Sequence, residues 1–179
     1  MIFDITTLQK LDKHHQTLVD EVFGKKSFLA FIHADWCGHC VRVLPEWRKF
    51  VKQMREQKIP NFAVLDISDV TMNHVMSEKP QSFLSKLLEK AVSGFPTLIF
   101  VDQHMTPGQK PESLIHNFNQ FSQERTAAEL KRFVQTKMKE RKQKDAAMPN
   151  KTPKTQSGGG RRKVNSKPTT KKTPRTKKT

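Results

Sequence analysis

The stretch Trp36-Cys37-Gly38-His39-Cys40 holds both cysteines of this 179-residue chain. Two thiols separated by two residues can close a small disulfide ring or supply half of a tetrahedral metal site. The flanking sequence limits what the backbone does there. Upstream, Phe28-Leu29-Ala30-Phe31-Ile32 is an unbroken apolar run, too short for a buried helix and suited to a strand covered on both faces. Downstream, Val41, Leu44, Trp47, Phe50, Val51 and Met54 recur at helical spacing. The pair therefore sits where a buried strand turns into a long amphipathic helix, with Cys37 at the helix N-terminus. Peptide dipoles and unpaired amides at that end favour an anion, so the Cys37 thiolate is expected to form more readily than that of a free cysteine. Cys40, one turn in, faces the same way and is expected to be better buried. An attacking thiol thus has a resolving thiol behind it. A metal site would need two more ligands from scattered histidines such as His33, His74 or His104, and no His-x3-His spacing is present. No metal and no cofactor are expected.

The stretch resembles the active site of the thioredoxin superfamily, and Cys-Gly-His-Cys is the variant typical of protein disulfide isomerases. Leu44-Pro45-Glu46-Trp47 is similar to the isomerase segment after the second cysteine, Gly94-Phe95-Pro96-Thr97 to the family's cis-proline loop, and Arg125-Thr126 to the Arg-Thr pair whose arginine approaches the active site. The resemblance covers roughly residues 1 to 140. It implies an α/β architecture, the thioredoxin fold, with a central mixed β-sheet flanked by helices. It also implies a thiol–disulfide oxidoreductase acting on protein or peptide thiols and disulfides. In that role Cys37 is the nucleophile and Cys40 resolves the mixed disulfide. The imidazolium of His39 between them favours thiolate over disulfide. Phe95 and Pro96, with the peptide bond between them cis, hold a substrate strand while Trp36 shields the sulfurs. Arg125 favours the Cys40 thiolate.

Two positions depart from the family. It carries a buried acid five residues before the tryptophan and a lysine beside it on the next strand; here these are Phe31 and Val64. Their usual role is to take the proton of the resolving cysteine, so Cys40 is expected to deprotonate sluggishly, with His33 and Asp35 as the nearby polar side chains. Two readings from other classes stand beside the oxidoreductase. One is a nucleic-acid-associated protein using the fold as a scaffold. The other is a chaperone-like peptide binder with weak redox activity.

Along the chain, the pattern predicts a short first strand at Met1–Ile5 and a helix from Thr7 to Phe23 stopped by Gly24. The active-site helix is expected over about 37–57, a parallel strand over Phe62–Asp66, an irregular insertion over Asp69–Pro80 and a helix over Ser82–Val92. A buried strand at Thr97–Val101, a hairpin region at Asp102–Pro111, a weaker strand near Ser113–Phe118 and a last helix capped by Thr126 complete the domain, taken as residues 1–143. Charge separates this part from the rest. Residues 1–143 carry 21 Lys/Arg and 16 Asp/Glu, a net of +5; residues 144–179 carry 12 Lys/Arg and one acid, Asp145, a net of +11, together the chain's +16. The Thr-Pro-Lys units and basic runs of 144–179 bury too little apolar surface to offset ordering, so a disordered tail is expected. Residues 146–179 are expected to attract nucleic acid or another polyanion through its phosphates, without reading sequence, or to act as a nuclear import signal. No leader or membrane span is read from the sequence, which points to cytoplasm or nucleus, or to a virion if the chain is viral.

Overall fold

The protein is described by a computed structural model covering residues 1–103 and 111–147. Its elements run β1 (Ile2–Ile5), α1 (Leu8–Thr17), a π-turn (Leu18–Val22), β2 (Ser27–His33), α2 (Gly38–Gln57), β3 (Phe62–Ser68), α3 (Asp69–Glu78), α4 (Phe83–Ala91), β4 (Thr97–Val101), a 3-10 turn (Pro111–His116), β5 (Phe118–Gln120) and α5 (Ala127–Ala147). They form the thioredoxin fold that the sequence predicts. The five-stranded sheet has the order β1-β3-β2-β4-β5. β3 lies parallel to both β1 and β2, whereas β4 runs antiparallel to β2 and to β5, so the sheet is mixed.

β2 is the central strand, and all seven of its residues are buried. Alternation along the strand sends its side chains to two separate cores. Phe28, Ala30 and Ile32 join Leu11, Leu18, Val75, Leu84, Leu87 and Leu88 from α1, the π-turn, α3 and α4. Leu29 and Phe31 join Val43, Trp47, Phe50, Leu130 and Val134 from α2 and α5. The sheet is therefore covered on both faces, and the cysteines lie at the C-terminal end of β2, where α2 begins.

The starts of four helices are capped by hydroxyls. Thr7, Ser68, Ser82 and Thr126 accept the backbone N–H of Lys10, Thr71, Ser85 and Glu129 respectively. Between α2 and β3 the chain reverses through Lys58 and Asn61, both at positive φ (43° and 55°). Gly24 (φ 75°) ends the first helical segment as predicted.

Three expectations are corrected. Asp69–Glu78 is not irregular but the helix α3, capped by Ser68 and packed on α4. The weaker strand is not at Ser113–Phe118: Pro111–His116 is a 3-10 turn, and β5 starts at Phe118. The last helix also continues past the expected boundary at 143, to Ala147. Near this end, the buried guanidinium of Arg141 reaches across to Ser27 Oγ (2.7 Å) and to the Asn61 carbonyl (3.3 Å). The middle of the hairpin region, 104–110, and the tail from 148 onward lie outside the described residues.

Candidate active site

Cys37 occupies the N-cap of α2 and caps it with sulfur: its Sγ accepts the Cys40 backbone N–H at 3.3 Å. The Cys37 thiol in turn lies 3.6 Å from the Phe95 carbonyl oxygen. Both cysteines are free thiols. Cys40 has no exposed surface, whereas Cys37 keeps 8%. The two environments push the thiols apart. Cys37 is held below the ordinary thiol range by the Cys40 thiol, by the backbone N–H groups of Cys40 and His39, and by the nearby Arg125 guanidinium. Burial, with the neighbouring Cys37, pushes Cys40 up to about 11. One thiol is poised as a nucleophile, and the other stays protonated until something removes its proton.

The rest of the predicted set converges on this pair. The Phe95–Pro96 peptide bond is cis, and Thr97 Oγ1 donates to the Gly94 carbonyl at 2.6 Å, tying down the loop. Trp36 is 75% exposed, stands edge-on to Phe95 at 5.7 Å between centroids, and donates its indole N–H to Asp69 at 2.8 Å. Arg125 lies close enough to lower both thiols. It is placed there by a contact between helices: Glu46 of α2 accepts the N–H of Ala127 at the start of α5 (3.0 Å) and the Lys49 ammonium (2.6 Å). Both donors hold the Glu46 carboxyl below its usual range.

The Nδ1 of His39 faces Arg42 Nη2 at 2.9 Å. Its backbone N–H is among the groups that lower the Cys37 thiol.

Phe31 and Val64 are buried apolar side chains in the α2–α5 core, as their identities imply. Asp35 is exposed, but His33 points inward and is only 4% exposed. Its Nε2 is 2.8 Å from Asp66 Oδ1, and Asp66 Oδ2 accepts the indole N–H of Trp47 at 2.9 Å. Asp66 and Asp69 were missed in the sequence. Asp66 is concealed within an apolar strand, and its partner is 33 residues away. Asp69 lies in the segment expected to be irregular. The only available signal was a carboxylate in a buried run, which demands a partner.

Among the described residues no group of three or more His, Cys, Asp or Glu side chains is arranged to hold a metal ion. No helix among them is long and apolar enough to cross a membrane.

Comparison with known proteins agrees with this geometry. The family model described as thioredoxin matches residues 6–136. A protein disulfide isomerase-like 2-3 of Oryza sativa subsp. japonica is 32% identical over 76 residues, which is 42% of this chain and 14% of that protein. A protein disulfide-isomerase 2-3 of Arabidopsis thaliana is 31% identical over 90 residues, 48% of this chain and 17% of that protein. The chain thus spans under a fifth of the length of these relatives. Among solved structures, the J-Trx1 fragment of ERdj5 aligns over 77% of this chain and 52% of its own, with 14% identity and a TM-score of 0.48. With the family model covering well over half of its length, the chain belongs to the thioredoxin family, whose chemistry is thiol–disulfide oxidoreduction.

Proposed function

We propose that this protein exchanges disulfides with polypeptide substrates through the Cys37–Cys40 pair, in the manner of a protein disulfide isomerase domain. The observation that carries the reading is the contrast between the two thiols. Cys37 sits under helix N-terminal amides beside the Phe95 carbonyl, and Cys40 waits fully buried behind it. The Cys37 thiolate attacks a substrate disulfide, a mixed disulfide forms, and Cys40 displaces the substrate sulfur as the Cys37–Cys40 disulfide closes. Run backwards, the same steps oxidise a substrate dithiol.

A polypeptide substrate fits the surroundings. Trp36 and Val41 are exposed large apolar side chains flanking the two cysteines in sequence, and such a rim suits apolar stretches of an incompletely folded chain. The tail, residues 146–179, is proposed to hold a polyanion, on its charge alone.

The test is reduction of insulin by dithiothreitol in the presence of the protein. Wild type is expected to accelerate it, and Cys37→Ser to abolish the acceleration. Cys40→Ser is expected to trap substrate as a mixed disulfide, visible as an adduct by mass. Equal activity in wild type and Cys37→Ser would return the fold to a scaffold role.

A further inference from the structure

On the side of the sheet away from α2, the helices α1, α3 and α4 and the π-turn do not close fully over one another. They leave a cavity of about 540 Å³, within the size range of sites that take small molecules. Leu11, Leu18, Val75 and Leu84, all buried in the core on that face, line it together with Phe23 and Phe83, whose rings meet at 5.2 Å between centroids. Leu11, His15 and Leu18 reach it from one face of the first helical segment, at helical spacing. The π-turn then widens the backbone, with the Phe23 N–H donating to the Leu18 carbonyl at 2.9 Å. Single turns of this kind recur at functional sites. Here it leaves Val19 on the cavity wall and 44% exposed. Neither Cys37 nor Cys40 is among the lining residues, so this cavity is separate from the thiol site.

The charged groups on this cavity are of one sign. Lys79, at the end of α3, and Lys86, half-buried in α4, both line it, and among the described lining residues there is no acid. Neither ammonium group has an ion-pair or hydrogen-bond partner among the described residues. A lysine can lay its methylene stem along an apolar wall and keep its charge at the water's edge. The first turn of α4, which borders the cavity at Ser82, Phe83 and Leu84, also holds no acid, so the positive end of that helix adds to the same field. Apolar walls favour taking up hydrocarbon, and unpartnered ammonium groups beside them favour a ligand that ends in an anion. An inorganic phosphate would leave the apolar walls unfilled. A neutral apolar side chain of a polypeptide would leave the two lysines unpaired.

We propose that this cavity binds a single-chain amphiphilic anion of the fatty-acid class. The hydrocarbon tail lies against Leu11, Leu18, Val75 and Leu84, and the carboxylate is held by Lys79 and Lys86. Binding is non-covalent and stands apart from the thiol–disulfide reading, since the ligand and the cysteines occupy opposite sides of the sheet.

The experiment titrates the full-length protein with cis-parinarate, a conjugated fatty acid whose fluorescence rises in an apolar setting. A saturable rise is expected, reversed by octanoate, decanoate and dodecanoate with affinity growing about fourfold for each added methylene. Dodecanol, with the same tail and no charge, should compete about tenfold less well than dodecanoate. Replacing both ammonium groups, Lys79→Gln with Lys86→Gln, should weaken dodecanoate about tenfold and leave dodecanol unchanged. Val19→Trp and Ile115→Trp add bulk to the walls from two different elements, and each should weaken cis-parinarate by more than about tenfold. Both variants keep the basic residues 148–179. Binding equal to wild type in both, with melting curves showing them folded, would place the fatty acid elsewhere on the chain and overturn the proposal. Absence of a saturable rise in wild type would overturn it, as would dodecanol competing as well as dodecanoate. Displacement of the probe by an unfolded polypeptide but not by dodecanoate would assign the cavity to polypeptide and overturn it too.

Discussion

The backbone N–H groups of His39 and Cys40 point at the Cys37 sulfur, while the His39 ring is turned to Arg42. Thiolate stabilisation at this residue is therefore a property of the helix start more than of the imidazole. The prediction follows from separating the two. His39→Ala keeps the N–H and should leave the pH midpoint of Cys37 alkylation close to that of wild type. His39→Pro removes the N–H at a position where the first helical turn tolerates proline, and should move the midpoint toward the ordinary thiol range, lowering reactivity at neutral pH by about tenfold. A midpoint shifted equally by both substitutions would restore the imidazole to the central role. At this scale the sequence was informative about Trp36, Cys37, Cys40, Phe95, Pro96 and Arg125, because their spacing is local or carried by family resemblance. It was silent on Asp66 and Asp69, whose importance is created by partners brought in by the fold: His33 and Trp47 for one, Trp36 for the other.

Between elements, Glu46 is the clearest case of one helix positioning another. Its carboxylate caps α5 at Ala127, two residues after Arg125, and both Ala127 N–H and Lys49 hold it below its usual range. A group whose folded-state titration is depressed contributes stability above the ordinary carboxylate range and loses that contribution as pH falls through its own lowered value. Wild type should therefore unfold at a higher temperature than Glu46→Gln at neutral pH, and the gap should close in acid. A gap independent of pH would mean that the carboxylate charge contributes nothing to the α2–α5 junction. The elements most legible from sequence were β2, β3, β4, α2 and α4, whose apolar residues have a clear period and a single face or full burial. α3 was not legible: of its apolar residues Val70 is exposed while Val75 is buried, and a buried Thr71 takes a core position. The end of α5 was hidden for a different reason. Residues 139–147 read as a charged run, and their order depends on Arg141 finding Ser27, 114 positions away. No local pattern announces such a contact.

At the scale of the whole chain, charge and chemistry separate. A cut after Ala147 spares all of α5 and removes 11 Lys/Arg and no acid. The removed segment contributes no predicted site residue, so exchange with a small disulfide should proceed at the wild-type rate. Binding to duplex DNA or RNA should not survive the cut. In the full chain, log affinity should fall with log salt at about −0.9 per phosphate neutralised. Full engagement of the removed charges would give a slope near −10; with engagement of about half of them, a slope of roughly −4 to −7 is expected. Scrambling the sequence of the duplex should change affinity little, because the segment has no aromatic side chain to stack on a base and its charges are expected to meet phosphates, which carry no sequence information. Filter binding across a salt series, run on the full chain and on the chain cut after Ala147, decides the matter. Equal affinity and equal slope in the two would locate any polyanion binding on the folded part instead, where Arg48, Lys52 and Arg55 form an exposed basic stripe along α2.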